Sequence, residues 1–159
     1  MEKTPEILAF WRAFQEEIGT SERKAEHFEV AWYGDSAALG NQLVALILEG
    51  KKTASCASLA EYEHDQEPLP VVGGRCVVVN GHGQPVCVTE TTAVFTARFN
   101  EVDAAFAFEE GEDDRSLASW RREHQRYFSR VLPPLGGTFS EDLLLVCERF
   151  KVIYQPDPR

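Results

Sequence analysis

The fold is decided by residues 32–55, which read WYGDSAALGNQLVALILEGKKTAS. Residues 34–36 (Gly-Asp-Ser) are turn and N-cap types, and the leucine and isoleucine residues after them recur at the spacing of an amphipathic helix. Gly50 favours the end of that helix, because glycine readily adopts the left-handed conformation found there. Residues 51–58 are polar and small, and we expect them to form a strand.

The flanking sequence predicts further helices and strands. Thr4 and Pro5 open a helix over residues 4–19, whose apolar side chains recur at helical spacing. The remaining segments predict strands at 28–32, 75–80, 85–99 and 142–154, helices at 101–109 and 116–131, and a loop at 60–70. Together they predict a single α+β domain over residues 1–159, with the N-terminal helix packed on it.

Net charge, hydrophobic runs and cysteine spacing narrow the classes of protein to which this chain can belong. The 159 residues carry 16 Lys and Arg against 26 Asp and Glu, a net charge of −10, which disfavours general binding to a polyanion. The longest apolar run, residues 43–48, is too short for a membrane span, and the N-terminus does not resemble a secretory signal. The four cysteines form no C-x-x-C pair. We therefore expect a cytoplasmic protein with reduced thiols and no membrane association.

Lys51 and Lys52 follow the helix-ending glycine and precede a run of hydroxyl residues. A desolvated lysine can act as a base or nucleophile, and an adjacent ammonium helps to lower its pKa. The alternative is a solvated pair that interacts with the dipole at the helix C-terminus. Because a strand alternates faces, only one of the two should face a cleft.

Residues 109–114 (EEGEDD) form an acidic run between two predicted helices. The ordinary interpretation is a solvated loop in which Asp114 caps the next helix. The functional interpretation is that one carboxylate meets a lysine from residues 51–52, since such a pair can exchange a proton.

The predicted helix 116–131 has two distinct faces. His124 lies on its apolar face, which indicates a hydrogen-bonded core histidine rather than a ligand. Arg115, directly before this segment, and Arg122, Arg126 and Arg130 within it lie on a different face. They serve solubility and pair with the acidic run, or they contact RNA phosphates. The histidines and cysteines lack metal-ligand spacing, so we expect no metal site.

These segments together resemble the ASCH domain, a family similar to the PUA domain. The key motif is a helix ending in Gly, followed by x-Lys-Thr-x-Ser at residues 51–55. Further matches keep their order: Glu61-Tyr62-Glu63, Pro70-x-x-Gly73, Pro85-Val86-Cys87, Glu90-Thr91-Thr92, Phe99-x-x-Val102, Glu110-Gly111-Glu112-x-Asp114-x-Ser116-Leu117, Trp120-Arg121 and His124. The resemblance covers about residues 28–154 and is closest to the longer, stand-alone bacterial branch.

The resemblance implies a PUA-like mixed or antiparallel β-barrel with flanking helices. Some small bacterial relatives are amidohydrolases that remove the acetyl group from N4-acetylcytidine with a Lys, a Thr and a Glu. By motif position these fall on Lys52, on Ser55 in place of Thr, and on Glu110, with Glu112 as the alternative acid. Another branch has ribonuclease activity. The implied function is therefore an amidohydrolase on an acylated pyrimidine nucleoside, with an RNA-binding module, a ribonuclease or a non-catalytic ligand sensor as alternatives.

The amide chemistry assigns a role to each residue. A partly neutral Lys52 would activate water or Ser55, Ser55 or backbone N–H groups would hold the oxyanion, and Glu110 would carry the proton to the leaving amine. No metal or other cofactor is required, and the partner is a nucleoside or modified nucleotide, with RNA as the alternative. Further ligand contacts are expected from Lys51, Thr53, Glu112, Trp32, Tyr33 and Trp120, and RNA-phosphate contacts from Arg122 and Arg126.

Overall fold

The computed structural model describes residues 1–19 and 27–157, in which five α-helices flank one five-stranded mixed sheet. The helices are α1 (Pro5–Glu17), α2 (Ala37–Leu48), α3 (Leu59–Asp65), α4 (Ala104–Glu110) and α5 (Leu117–Val131). The strands are β1 (Glu29–Ala31), β2 (Ala54–Ser58), β3 (Arg75–Val79), β4 (Pro85–Arg98) and β5 (Leu144–Tyr154). None of these helices is long and apolar enough to cross a membrane.

The strand order in the sheet is β1-β3-β4-β5-β2. β1 runs parallel to β3, and every other pair is antiparallel. The pairing of the long strands β4 and β5 shifts register after Val88 and again after Thr91, and such bulges bend a strand and increase its twist. The sheet therefore curls into a half-barrel, which confirms the predicted PUA-like α+β fold.

Three apolar clusters attach the helices to the sheet. Helix α1 packs Ile7, Trp11 and Phe14 against β3 and β4, and helix α2 packs Val44 and Ile47 beside Val78, Cys87 and Phe150. The largest cluster joins α4 and α5 to β2 and β5; it contains Phe106, Trp120, Phe128, Leu145 and Cys147. Burial of these side chains fixes α2, α4 and α5 around the start of β2.

Several predicted boundaries were wrong. Residues 60–70 are not all loop, because Ser58 and Glu61 form a capping box that starts α3. The helix predicted at 101–109 is a 3-10 turn at Phe99–Glu101 followed by α4, which Asp103 caps. Strand β2 begins at Ala54 rather than at residue 51, since the N–H of Thr53 donates to the carbonyl of Glu109 instead.

Candidate functional site

The turn after α2 separates the two lysines. Gly50 is left-handed (φ 73°), and the N–H groups of Lys51 and Lys52 both donate to the carbonyl of Leu46, at 2.9 and 3.0 Å. Lys51 points to solvent, where its Nζ lies 2.8 Å from Glu49. Lys52 points inward and is only 2% exposed. Lys52, and not Lys51, therefore lines the large cleft beside α5.

The acidic segment reaches Lys52 through a close backbone approach at Gly111. Gly111 ends α4 in the left-handed conformation (φ 73°). A Cβ atom here would lie 2.6 Å from the carbonyl carbon of Lys51 and 2.9 Å from the backbone nitrogen of Lys52. Only glycine can occupy this position without moving the lysine turn. The flanking residues Glu110 and Glu112 are thereby brought onto Lys52.

Lys52 is held by two carboxylates. Its Nζ donates to Glu112 Oε2 at 3.0 Å and to the Glu110 carbonyl at 3.4 Å, and it lies 3.6 Å from Glu110 Oε2. The side chain of Glu110 is 2% exposed and that of Glu112 is 30% exposed. Glu112 is therefore the acid more open to the cleft, and Glu110 is the acid enclosed by protein.

His124 completes the group on the far side of Glu110. Its Nε2 lies 3.0 Å from Glu110 Oε2, and its Nδ1 lies 2.9 Å from the carbonyl oxygen of Trp120. Both neighbours accept hydrogen bonds, so only the doubly protonated ring can donate to both. The ring also stacks on Trp120, with centroids 4.1 Å apart. His124 is thus more than a core histidine, because it orients a carboxylate at the cleft.

The charges of this group follow from its contacts. Burial lowers the pKa of Lys52, but the carboxylates of Glu110 and Glu112 outweigh it, and the net pKa is raised. Burial raises the pKa of Glu110, but His124 and Lys52 outweigh it, so the net pKa is lowered. Burial and the neighbouring Glu110 raise the pKa of Glu112 by more than the Lys52 ammonium lowers it. The expectation of a partly neutral Lys52 was therefore wrong, since Lys51 points away and two acids hold the ammonium.

The other predicted ligand residues divide between the cleft and its surroundings. Ser55, Trp32 and Tyr33 line the cleft, and Lys52 Nζ lies 5.9 Å from the centre of the Tyr33 ring. Trp120 also borders the cleft, but it is only 4% exposed and its ring stacks on His124. Thr53 is turned towards α4, where its hydroxyl donates to the carbonyl of Glu109 at 3.3 Å.

Arg122 and Arg126 of α5 are exposed and already paired. Arg122 contacts Asp113 and Glu123, and Arg126 contacts Glu123, each at 3.4 Å. Arg115 is used structurally, since its guanidinium donates to the carbonyls of Phe108 and Lys51. The basic stripe is therefore balanced by neighbouring acids.

Several residues in the cleft were not selected from the sequence, and two of them bear polar or nucleophilic groups beside Ser55. Glu148 lies on β5 and Cys56 on β2, and both line the cleft. Glu148 is a carboxylate inside the apolar strand LLVCERF, and a charge in such a strand is a signal that could have identified it. Cys56 gives no such signal, because a small thiol in a strand is typical of a core.

One cluster has the composition of a metal site. Ligand atoms of Cys56, Glu110 and His124 all lie within 4.8 Å of one another. Such a set can hold a soft divalent ion. The ion would share the Glu110 carboxylate with the Lys52 ammonium, which lies 3.6 Å from its Oε2 atom. Two cations on one carboxylate repel each other, so the donor set fits a metal poorly.

The fold and the sequence have clear relatives among known proteins. The ASCH domain family profile matches residues 29–154. The chain is 38% identical to the ASCH domain from Lactobacillus crispatus over 91% of this chain and 94% of that one, with a TM-score of 0.81. It is 34% identical to a DUF984 protein from Enterococcus faecalis over 93% of this chain and 88% of that one, with a TM-score of 0.83.

A more distant structure, from Zymomonas mobilis, shares the fold alone, at 13% identity and a TM-score of 0.50 over 81% of this chain and 71% of that one. No curated protein matches the chain. The profile match spans most of the chain and includes the lysine turn, the acidic segment and His124. On these grounds the chain belongs to the ASCH domain family.

Proposed function

We propose that the chain is an amidohydrolase that removes the acyl group from an acylated pyrimidine nucleoside such as N4-acetylcytidine. The observation that carries the proposal is the buried Lys52, held by Glu110 and Glu112 at a large cleft. ASCH membership supports the coarser statement, an RNA-binding or hydrolase-like function. A cluster of strongly shifted acids and bases in a cleft favours catalysis over simple binding.

The cleft has room for a ligand of nucleoside size. Its volume of about 1480 Å³ exceeds the ~300–1,000 Å³ of ordinary small-molecule sites, so a nucleoside would occupy only part of it. Aromatic side chains, including Tyr33 and Tyr62, line it and offer flat surfaces to a base. A nucleoside carries no phosphate, so the net charge of −10 does not oppose its entry.

Lys52 acts in this proposal as a cation rather than as a base. A raised pKa keeps its ammonium protonated at neutral pH, so it can polarise the acyl carbonyl and stabilise the oxyanion that forms when water attacks. The Ser55 hydroxyl has no hydrogen-bond partner among residues 1–19 and 27–157. It is therefore free to donate a second hydrogen bond to the same oxygen.

Glu112 is the better placed acid for proton transfer. It lies beside the ammonium, its pKa is raised, and its side chain is partly open to the cleft. Its carboxylate takes a proton from the attacking water as the new C–O bond forms. It returns that proton to the exocyclic nitrogen as the C–N bond breaks, which gives the free nucleoside and the carboxylic acid. Glu110, enclosed and held by His124, keeps Lys52 charged and in place.

The test is incubation with N4-acetylcytidine, followed by chromatography for cytidine. Lys52→Met removes the ammonium but keeps most of the stem, and Lys51→Met is the matched control on the exposed neighbour. We expect the wild type and Lys51→Met to release cytidine, and Lys52→Met to be slower by about a hundredfold or more. Ser55→Ala provides a second variant that leaves the buried ion pairs intact, and we expect it to be about tenfold slower or more.

Circular dichroism and a thermal melt confirm that each variant is folded before its rate is compared. Full activity in a folded Lys52→Met protein would show that the lysine is not catalytic. An absence of cytidine at high wild-type concentration would overturn the amidohydrolase proposal itself.

A further inference from the structure

A second carboxylate in the cleft, Glu148, lies outside the Lys52 group. In the register of the sheet Glu148 faces Ser55 of β2 on one side and Val94 of β4 on the other. Directly paired residues of neighbouring strands project from the same face of a sheet. The Glu148 carboxylate and the Ser55 hydroxyl are therefore neighbours on the face that lines the cleft.

Only one oxygen of the Glu148 carboxylate has a hydrogen-bond partner in the described part of the protein. Thr91 donates its hydroxyl to Glu148 Oε2 at 3.2 Å. Among residues 1–19 and 27–157, the other oxygen, Oε1, has no hydrogen-bond partner, and no Lys, Arg or His lies within ion-pair distance. Burial raises the pKa of Glu148, and Thr91 and the more distant Lys52 compensate only in part. A half-buried acid without a cation is unfavourable for folding alone, so a ligand donor is the natural partner.

The aromatic side chains beside Glu148 leave room for a planar ligand whose edge would face the carboxylate. Tyr33 and Tyr62 also line the cleft; burial raises the pKa of each, and the charge of Glu148 raises it further. Their hydroxyls therefore stay protonated and their rings stay neutral. A flat ligand placed against these rings would present its hydrogen-bonding edge to the floor of the cleft, where Oε1 is free.

We propose that Glu148 determines base specificity by accepting a hydrogen bond from the exocyclic N–H of a cytosine-type base. This inference rests on the proposed function, since it assigns the substrate class of the same cleft. Cytosine presents an N4–H donor, whereas uracil presents a carbonyl oxygen at the same place. An acyl group on N4 leaves one N–H, so the acylated substrate and its product both satisfy the carboxylate, and a uracil oxygen is repelled by it.

The test measures binding by isothermal titration calorimetry with two probes, cytidine and uridine. Glu148→Met keeps the length of the side chain and removes both acceptor oxygens. Glu90→Met is the matched control, because Glu90 lies on the same sheet and does not itself line the cleft; its partners are Arg75, which borders the cleft, and Lys151. Thermal melts establish that both variants are folded.

We expect the wild type and Glu90→Met to bind cytidine at least about tenfold more tightly than uridine. Glu148→Met should weaken cytidine binding by about tenfold or more, leave uridine binding unchanged or stronger, and so abolish the preference. An undiminished preference in Glu148→Met would overturn the role of Glu148. A wild type that releases cytidine from N4-acetylcytidine but binds cytidine and uridine equally would overturn it too, and would leave the amidohydrolase proposal standing. A wild type that neither hydrolyses the acylated nucleoside nor binds cytidine would overturn both.

Discussion

Replacement of Gly111 by alanine should separate the lysine turn from the acidic segment. Gly111 has a φ of 73°, a conformation that costs an alanine about 1–2 kcal/mol. The added Cβ would also lie 2.6 Å from the carbonyl carbon of Lys51 and 2.9 Å from the nitrogen of Lys52. Both are backbone atoms, so no flexible side chain can move aside. The clash adds about 1–3 kcal/mol, the usual range for overpacking.

Gly136 supplies a control with the same backbone conformation and no clash. Its φ is 82°, and a Cβ there would meet no atom within 4 Å. Gly136→Ala should therefore lower the free energy of unfolding by about 1–2 kcal/mol. Gly111→Ala should lower it by about 2–5 kcal/mol, the sum of the conformational and overpacking ranges. The difference between the two variants isolates the contact between Gly111 and the lysine turn.

Urea unfolding followed by circular dichroism gives both free energies from the midpoint and the slope. The deacetylation assay should also distinguish them, because a displaced Lys52 no longer meets Glu112, whereas Gly136 is remote from the cleft. Equal destabilisation by the two alanines would refute the argument that Gly111 is required for close approach. Full activity in a destabilised Gly111→Ala protein would refute the link from this contact to the site.

Three further outcomes are expected. Burial lowers the pKa of His124, but the Glu110 carboxylate outweighs this effect, so the net pKa is raised. A pKa that is higher in the folded protein means that protonated His124 stabilises the fold. This stabilisation is complete below about pH 6.5 and is lost as the pH rises through the folded-state pKa. The urea concentration at the unfolding midpoint of the wild type should therefore decrease as the pH is raised from about 6 to about 8, and that of His124→Gln should decrease less. Parallel pH profiles for the two proteins would contradict this. Tyr127→Phe removes a 3.0 Å hydrogen bond to Glu61 and should lower the free energy of unfolding by about 1–2 kcal/mol, whereas an unchanged urea midpoint would show that water replaces the bond. Because Arg122 and Arg126 are already paired with acids, their joint replacement by alanine should change RNA binding less than about twofold in a filter assay; a steep, salt-sensitive loss would instead support the RNA-binding alternative.

Local patterns in the sequence predicted much of the framework. Thr4 caps α1 as predicted, and Gly50 ends α2. The predicted cap of α5, Asp114, was wrong: Ser116 caps the helix, and the Asp114 carboxylate instead accepts from the N–H of Ser116. Such signals act within a few residues, so they can be read without the fold. The capping box of Ser58 and Glu61 is a signal of the same kind, and it was overlooked because charged residues and prolines follow it.

The charge state of Lys52 could not be predicted in this way. The adjacent Lys51 suggested a lowered pKa, yet the turn at Gly50 directs Lys51 to solvent. Glu110 and Glu112 lie 58 and 60 residues further along the chain and reach the ammonium only in the folded protein. The role of His124 could not be predicted for the same reason. Its helical spacing places it on the apolar face of α5, but it does not reveal that its Nε2 contacts the Glu110 carboxylate. Contacts over such separations depend on tertiary packing.

The balance of charge in the cleft bears on the choice between a nucleoside and RNA. A protonated Lys52 and His124 together offset the charges of Glu110 and Glu112, so this group is close to neutral when both acids are ionised. A neutral nucleoside can enter beside it without a compensating charge. A phosphate would add negative charge next to Glu112 and Glu148, and Arg122 and Arg126 of α5, which could offset it, are already paired with acids. The electrostatics of the site therefore favour a phosphate-free base over an RNA strand, in agreement with the net charge of −10.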